Sequence, residues 1–406
     1  MNSLPNEIIR AICTHLCPHC TEETESSLDD APSKDLSRQE SKIALANLCL
    51  VSSRLRAIAQ PILYHRISIQ WAQTNKLVSF QRSMISRPEI ASNVKQLLLD
   101  MRRDPDIDYV DGELFRLPDD WYLRKEYEWP QEFSILLVFD LLTSLPCVEG
   151  MRLTLTWFQS SSASSSLTRS IPSLPRLRTL MLDCHHYRHG RFHLADLSAL
   201  FQMACNLDYL GIYFCKSVCT QLPLHSVTQI ILDHTRLSFA DMDRLLSSCY
   251  RLKLFSYSPK RSGESVRSSE VLSLLRRYGH DKSLDTLVLH WMGYYPPSRR
   301  IGTMSGFSNL KSLELGQMTI VRLSDDVPST FALSLPNCLE LLVFKDLASS
   351  ILRDLYTIRD MKSQGLLPRL KELSLVSLLE ELPSITLLAE EFKALDVFCT
   401  VSRAGE

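Results

Sequence analysis

The sequence predicts an α/β chain: an all-helical N-terminal module, then an irregular solenoid with parallel strands on its concave face and helices and loops outside. Three observations predict it. Apolar residues at helical spacing occupy the first turns of the chain. A short template, apolar–x–x–apolar–x–apolar, then recurs ten times in order. Between its later occurrences lie segments of the right length and period for a return helix.

The first helix is read over Leu4 to Leu16, where Leu4, Ile8, Ile9, Ile12, Cys13 and Leu16 share one face. Pro5 suits a first turn, and Glu7 favours the positive end of the helix dipole. Residues 18–42 are polar, acidic and serine-rich, and read as a solvated or disordered insertion. Periodicity resumes at Ile43, Ala46, Leu48 and Leu50. The Ser52-Ser53 pair predicts a capped helix carrying Leu55 and Ile58 and stopped by Pro61, with an extended exit through Ile67. Residues 75–87 read as a further helix, closed by Pro88.

Past residue 90 the template takes over. It occurs at Val94-Leu97-Leu99, Val148-Met151-Leu153, Leu177-Leu180-Leu182, Leu207-Leu210-Ile212 and Val227-Ile230-Leu232. It returns at Leu252-Phe255-Tyr257, Leu284-Leu287-Leu289, Leu310-Leu313-Leu315, Leu339-Leu342-Phe344 and Leu370-Leu373-Leu375. From Leu177 onward the steps are 30, 20, 25, 32, 26, 29 and 31 residues. One strand and one return element fit each step, close to the leucine-rich-repeat period of ~20–29 residues. Helices are expected over 194–204, 239–248, 271–278 and 347–361, the second with a capping box at Ser238 and Asp241. Such units cannot bury their apolar side alone, so they must stack on a shared core. The expected organisation is a module over 1–69, a helical linker over 70–93 and the repeat region over 94–400. Two insertions, 100–132 and 158–170, should lie outside the packing. The first holds 11 acids against 5 bases, with Trp121, Tyr122, Tyr127 and Trp129 interleaved.

At Leu4-Pro5-Asn6-Glu7-Ile8-Ile9, followed by Leu48-Cys49-Leu50-Val51-Ser52-Ser53-Arg54-Leu55-Arg56, the chain resembles the F-box family. The continuation through Pro61-Ile62-Leu63-Tyr64 looks like that family's third helix. The departure is the long acidic insertion between the two blocks. The resemblance covers about residues 1–69 and implies docking on the small adaptor subunit of an SCF-type cullin-RING ubiquitin ligase and, through it, on cullin. It places the adaptor contacts at Leu4, Pro5, Ile8, Ile9, Leu48, Leu50, Val51 and Leu55. It also fits C-terminal repeats that capture a protein substrate. A repeat scaffold or regulatory protein acting apart from any ubiquitin ligase is the alternative.

Composition excludes some classes. A formal net charge of −1 gives no global electrostatic case for nucleic acid or an anionic membrane. No run approaches the ~20 apolar residues of a membrane span. The twelve cysteines mostly sit inside apolar patterns, as small hydrophobes do, and an intracellular, reduced setting is expected. No phosphate-binding glycine loop and no nucleophile elbow is present, so no enzyme and no cofactor is expected. Asp104-Pro105-Asp106-Ile107-Asp108 begins like a calcium loop but fails at Tyr109 and Phe115.

Two clusters have metal-ligand chemistry. Cys17-Pro18-His19-Cys20, with Cys13 and His15 nearby, supplies one ligand pair but no second pair follows in sequence, so no metal site is predicted. Cys184-His185-His186 with His189 and His193 sits where a repeat turns and reads as a solvent-facing loop. For the target, side-chain alternation puts Met181, Asp183, Tyr209, Tyr213, Ile231, Asp233, His290, Glu314, Lys345 and Glu372 outward. Met181, Tyr209, Tyr213 and Ile231 would form a partly apolar binding patch on neighbouring strands.

Overall fold

The computed structural model describes residues 4–21, 32–69, 74–100, 138–155, 173–183, 193–215, 217–259, 266–291, 301, 303–316, 331–347, 351–377 and 383–403. Most of the acidic aromatic stretch, the serine-rich loop and the histidine run 184–192 fall outside them. The chain is α/β, with its strands parallel to their partners, and it divides into two compact units. The first comprises residues 1–190 and 199–207, the second 191–198 and 208–406.

The first unit opens with helices α1 (Asn6–His15), α2 (Pro18–Thr21), α3 (Pro32–Val51) and α4 (Ser53–Leu63). Strand β1 (Arg66–Ile69), helices α5 (Thr74–Ser86) and α6 (Pro88–Ala91), and strands β2 (Gln96–Asp100), β3 (Gly150–Thr154) and β4 (Thr179–Asp183) follow. These four strands pair in chain order. The unit therefore carries the helical module and the first template strands in one body, since β1, directly after α4, pairs with β2.

Two expectations are corrected here. Residues 32–42, read as solvated insertion, are the first half of α3. Low hydrophobicity reports on burial, whereas Lys, Arg, Gln and Glu are good helix formers whenever one end of the helix is anchored. The anchor is Leu45 and Cys49, both buried. Pro61, expected to end α4, lies inside it. It falls in the last turn, where one lost backbone bond can be tolerated, and buried Ile62 holds the chain in place. The Ser52 cap is as predicted: its side chain accepts the Leu55 N–H at 3.2 Å.

The second unit carries β5 (Tyr209–Tyr213), β6 (Gln229–Thr235), β7 (Leu254–Pro259), β8 (Thr286–Leu289), β9 (Ser312–Gly316), β10 (Leu341–Leu347), β11 (Glu372–Ser377) and β12 (Phe398–Arg403). Each is parallel to the next in chain order. Helices Phe239–Ser247, Ser268–Arg277, Leu352–Ser363 and Pro383–Ala394 return the chain between strands.

Every template residue of all ten occurrences is at most 2% exposed. Register explains this. In the second unit Leu210, Ile230, Phe255, Leu287, Leu313, Leu342 and Leu373 stand opposite one another, strand to strand. Ile212, Leu232, Tyr257, Leu289, Leu315, Phe344 and Leu375 form a second row two residues on. Period-two alternation sends both rows to one side, and the helices cover them.

A second regularity lies just ahead of each strand. One carbonyl accepts two consecutive N–H groups from the next repeat: Lys253 from Asp285 and Thr286 at 2.8 and 2.9 Å, Asp285 from Lys311 and Ser312 at 2.9 and 3.0 Å. Lys311 and Glu340 continue the series. In the first unit it begins at His65, whose carbonyl takes the Lys95 and Gln96 N–H groups at 2.9 and 2.8 Å. The residues that build this edge also form ion pairs along it: Lys95–Glu149 at 2.9 Å in the first unit, Lys311–Asp285 at 3.7 Å and Lys371–Glu340 at 3.0 Å in the second.

The register makes a sharp contrast testable at two adjacent residues. Leu313 is fully buried, while Glu314 faces outward and meets Lys345 at 2.5 Å. Leu313→Ala should cost ~2–5 kcal/mol in denaturant unfolding. Glu314→Ala should stay within about 1 kcal/mol. Equal losses would mean that the strand faces are assigned the wrong way round.

Candidate functional site

The four N-terminal helices pack on a small core of Ile9, Cys13, Cys17, Leu45, Cys49, Leu55, Ala59 and Ile62. Helix α1 supplies Ile9 and Cys13, four residues apart on its inner face. Its outer face carries Leu4, Ile8 and Ile12, exposed by 37%, 47% and 46%. At the α3–α4 junction Leu50 and Val51 are more exposed still, by 76% and 66%. Arginine joins these regions. Arg54 Nε donates to Asn6 Oδ1 at 2.9 Å, and Arg54 Nη2 to the Leu4 carbonyl at 2.5 Å. Arg56 Nε donates to the Cys49 carbonyl at 3.0 Å. The Ser-Ser-Arg-Leu-Arg block therefore caps α4, fixes the entry to α1 and ties down the end of α3.

Of the residues assigned to adaptor contact, Leu4, Pro5, Ile8, Leu50 and Val51 are exposed. Ile9 and Leu55 are not; each is 5% exposed and belongs to the module core, so their part is packing. Leu48 is half-buried against the same core. The motif mixes positions that hold the module together with positions that face solvent, and spacing alone does not separate them.

The patch expected on the strands is corrected in the same way. Met181 is 2% exposed, and its neighbours Leu180 and Leu182 are fully buried, so both faces of β4 are covered at its midpoint. Tyr209, Tyr213 and Ile231 are half-buried. Register sets Ile231 opposite Gly211, between the two tyrosines, so that these three side chains lie on one face of the β5–β6 pair. Asp183, Asp233, His290, Glu314 and Lys345 are half-buried and Glu372 is exposed, as alternation requires.

His193 has acquired partners that the sequence did not announce. Its Nδ1 contacts Ser217 Oγ closely and lies 3.3 Å from Cys219 Sγ, and Ser217 Oγ is 2.8 Å from that sulfur. A cysteine beside a histidine can be a nucleophile. The N–H groups of Val218 and Cys219 are bound to Asp241 Oδ1 at 3.0 and 3.3 Å. Asp241 also completes the capping box with Ser238 and so joins this turn to the helix Phe239–Ser247.

Cys17, His19, Cys20 and His65 converge, one ligand atom from each lying within 4.8 Å of all the others. Cys17 immediately precedes the short helix α2, His19 and Cys20 lie within it, and His65 sits between the end of α4 and the start of β1. Cys20 is exposed as a residue, but partial desolvation of its thiol, with Cys17 beside it, pushes the group up to about 12. Burial, with His19 and Lys95, lowers His65 to about 4, so its imidazole is neutral. The missing partner of the Cys-Pro-His-Cys run was a histidine 45 residues beyond Cys20. Cys13 and His15 take no part.

Comparison with known proteins gives no match, either to a family model or to a curated protein. Among the described residues, no helix is long and apolar enough to cross a membrane.

Asp241 yields a pH prediction. Burial pushes its carboxyl up, but hydrogen bonds from the Ser238 hydroxyl and the Val218, Cys219 and Ser238 N–H groups outweigh it and hold the group below its ordinary value. A folded-state value below the unfolded ~3.9 stabilises fully above that pH, and the stabilisation is lost as pH falls through the folded value. Asp241→Asn should therefore cost about 1–2 kcal/mol at pH 7 and progressively less below pH ~4. Unfolding titrations of both proteins at neutral and acid pH measure the difference; a gap that does not narrow in acid would exclude this role.

Proposed function

We propose that this chain is a substrate receptor of an SCF-type cullin-RING ubiquitin ligase. It docks on the ligase's small adaptor through the N-terminal module and holds a target protein with the leucine-rich-repeat-like strand array. It performs no chemistry of its own. It raises the target's effective concentration at the ligase by binding both.

The observation that carries this reading is the exposure of Leu4, Ile8, Leu50 and Val51 on a module whose core is otherwise closed. Apolar side chains left this open, next to an ordered polar clamp at Arg54, suit a surface completed by a partner. They are also positions where the Leu-Pro start and the Leu-Val-Ser block resemble F-box modules. Support for the target side comes from the strand array, a rigid surface on which Tyr209, Tyr213 and Ile231 offer aromatic and aliphatic groups.

The full chain should bind purified adaptor. Leu50→Glu with Val51→Glu should weaken that binding by roughly thirtyfold or more, if the two together contribute ~2 kcal/mol. Because both side chains are exposed, the melting temperature should stay that of the wild type. Failure of the wild-type chain to bind adaptor, or undiminished binding by the double variant, sinks the ligase reading and leaves a repeat scaffold independent of ubiquitin ligase.

A further inference from the structure

We infer that Cys17, His19, Cys20 and His65 form a tetrahedral zinc site that staples the helical module to the first strand. The inference is independent of the ligase reading.

The case is geometric. Zinc holds thiolate sulfur at ~2.3 Å and imidazole nitrogen at ~2.0–2.1 Å, so a tetrahedral site has S···N edges of about 3.5 Å. The structure has Cys20 Sγ at 3.4 Å from His65 Nδ1 and at 3.6 Å from His19 Nδ1, and Cys17 Sγ at 3.8 Å from His65 Nδ1. The histidine rings meet edge to face, with centroids 5.5 Å apart, which directs them to a common point rather than stacking them.

Chemistry selects the metal. Two thiolates and two neutral imidazoles are a structural zinc set, and they exclude calcium and magnesium, which take oxygen. Charge also balances. Binding releases two thiol protons to solvent, and two thiolates neutralise the dication, so the half-buried site gains no net charge. Access exists as well. Cys20 is exposed and lines an open groove of about 820 Å³ along α1, shared with Asn6, Arg10 and Thr14.

The site has a mechanical role. Cys17 and His65 are 48 residues apart, and a bond between them through one ion closes all of α3 and α4 into a loop. Closing a long loop removes unfolded-state entropy. Because the His65 carbonyl also accepts the Lys95 and Gln96 N–H groups, the ion would fix the origin of the strand edge.

The experiment uses the full chain, expressed with zinc and purified in reductant. One zinc per chain by elemental analysis is expected. Replacement by cobalt should give the intense visible bands of a tetrahedral ion with a thiolate charge-transfer band. Cys20→Ser and His65→Gln should each lower cobalt affinity at least tenfold and alter the spectrum, while Cys205→Ser, an exposed cysteine elsewhere, leaves both unchanged. Chelation should lower the wild-type melting temperature, and zinc should restore it. Cys20 is exposed, so its serine variant folds, and circular dichroism checks this. Absence of bound metal, an octahedral cobalt spectrum, a Cys17–Cys20 disulfide in freshly purified protein, or wild-type affinity in Cys20→Ser overturns the inference.

Discussion

The stacking of in-register apolar rows is the constraint on which the strand array depends. A parallel strand of five residues cannot exist alone, and its return helix has an apolar face with nothing of its own to cover. In the second unit the two conditions are met together, because each strand sets its template residues beside those of the strand before it. The helices then close over a surface that is already continuous. The carbonyl ahead of each strand acts on the same geometry: by taking two successive N–H groups from the next repeat, it fixes where that strand must start. A slip of one residue would turn the whole apolar row to the outside.

These rows were legible in the sequence because burial at a strand's inner face is a local demand repeated many times. The template Leu310-Leu313-Leu315 is visible in six residues and is fully buried in the structure. What could not be read was set by neighbours distant in sequence. Met181 stands outward by alternation but is covered on both faces, and its covering is not written in the strand. Ile9 and Ile8 are adjacent in one motif, yet one is core and the other surface, because helix α1 turns by about 100° between them. Pro61 marks a helix end by its chemistry, but tertiary packing carries α4 past it. The partner of the Cys-Pro-His-Cys run was missed for a similar reason: His65 completes the cluster only after α3 and α4 have folded back.

The module's polar clamp shows how a motif can serve structure and surface at once. Arg54 reaches two residues that open α1, and Arg56 reaches the last part of α3. All three bonds are made by guanidinium groups to neutral acceptors, a side-chain amide and two backbone carbonyls. Leu50 and Val51 remain in solvent beside this clamp because their helix is already held.

The ion pairs along the carbonyl edge have a consequence for the order of assembly. In the second unit the edge residues run Asp208, Thr228, Lys253, Asp285, Lys311, Glu340 and Lys371, so from Lys253 onward the sign alternates from repeat to repeat. The Lys371 ammonium holds the Glu340 carboxyl below its ordinary range, and Lys311 on the other side adds to the effect. Surface pairs of this kind contribute little to stability one at a time. Their value lies in comparison with the wrong arrangement. Similar repeats invite a folding chain to dock one unit onto the next but one, and that skip would set Lys253 beside Lys311, Asp285 beside Glu340 or Lys311 beside Lys371, according to the repeat left out. The alternation thus works as a local check: a junction that leaves out one repeat sets two like charges side by side, whereas the complete order from Lys253 to Lys371 sets opposite charges together at every step.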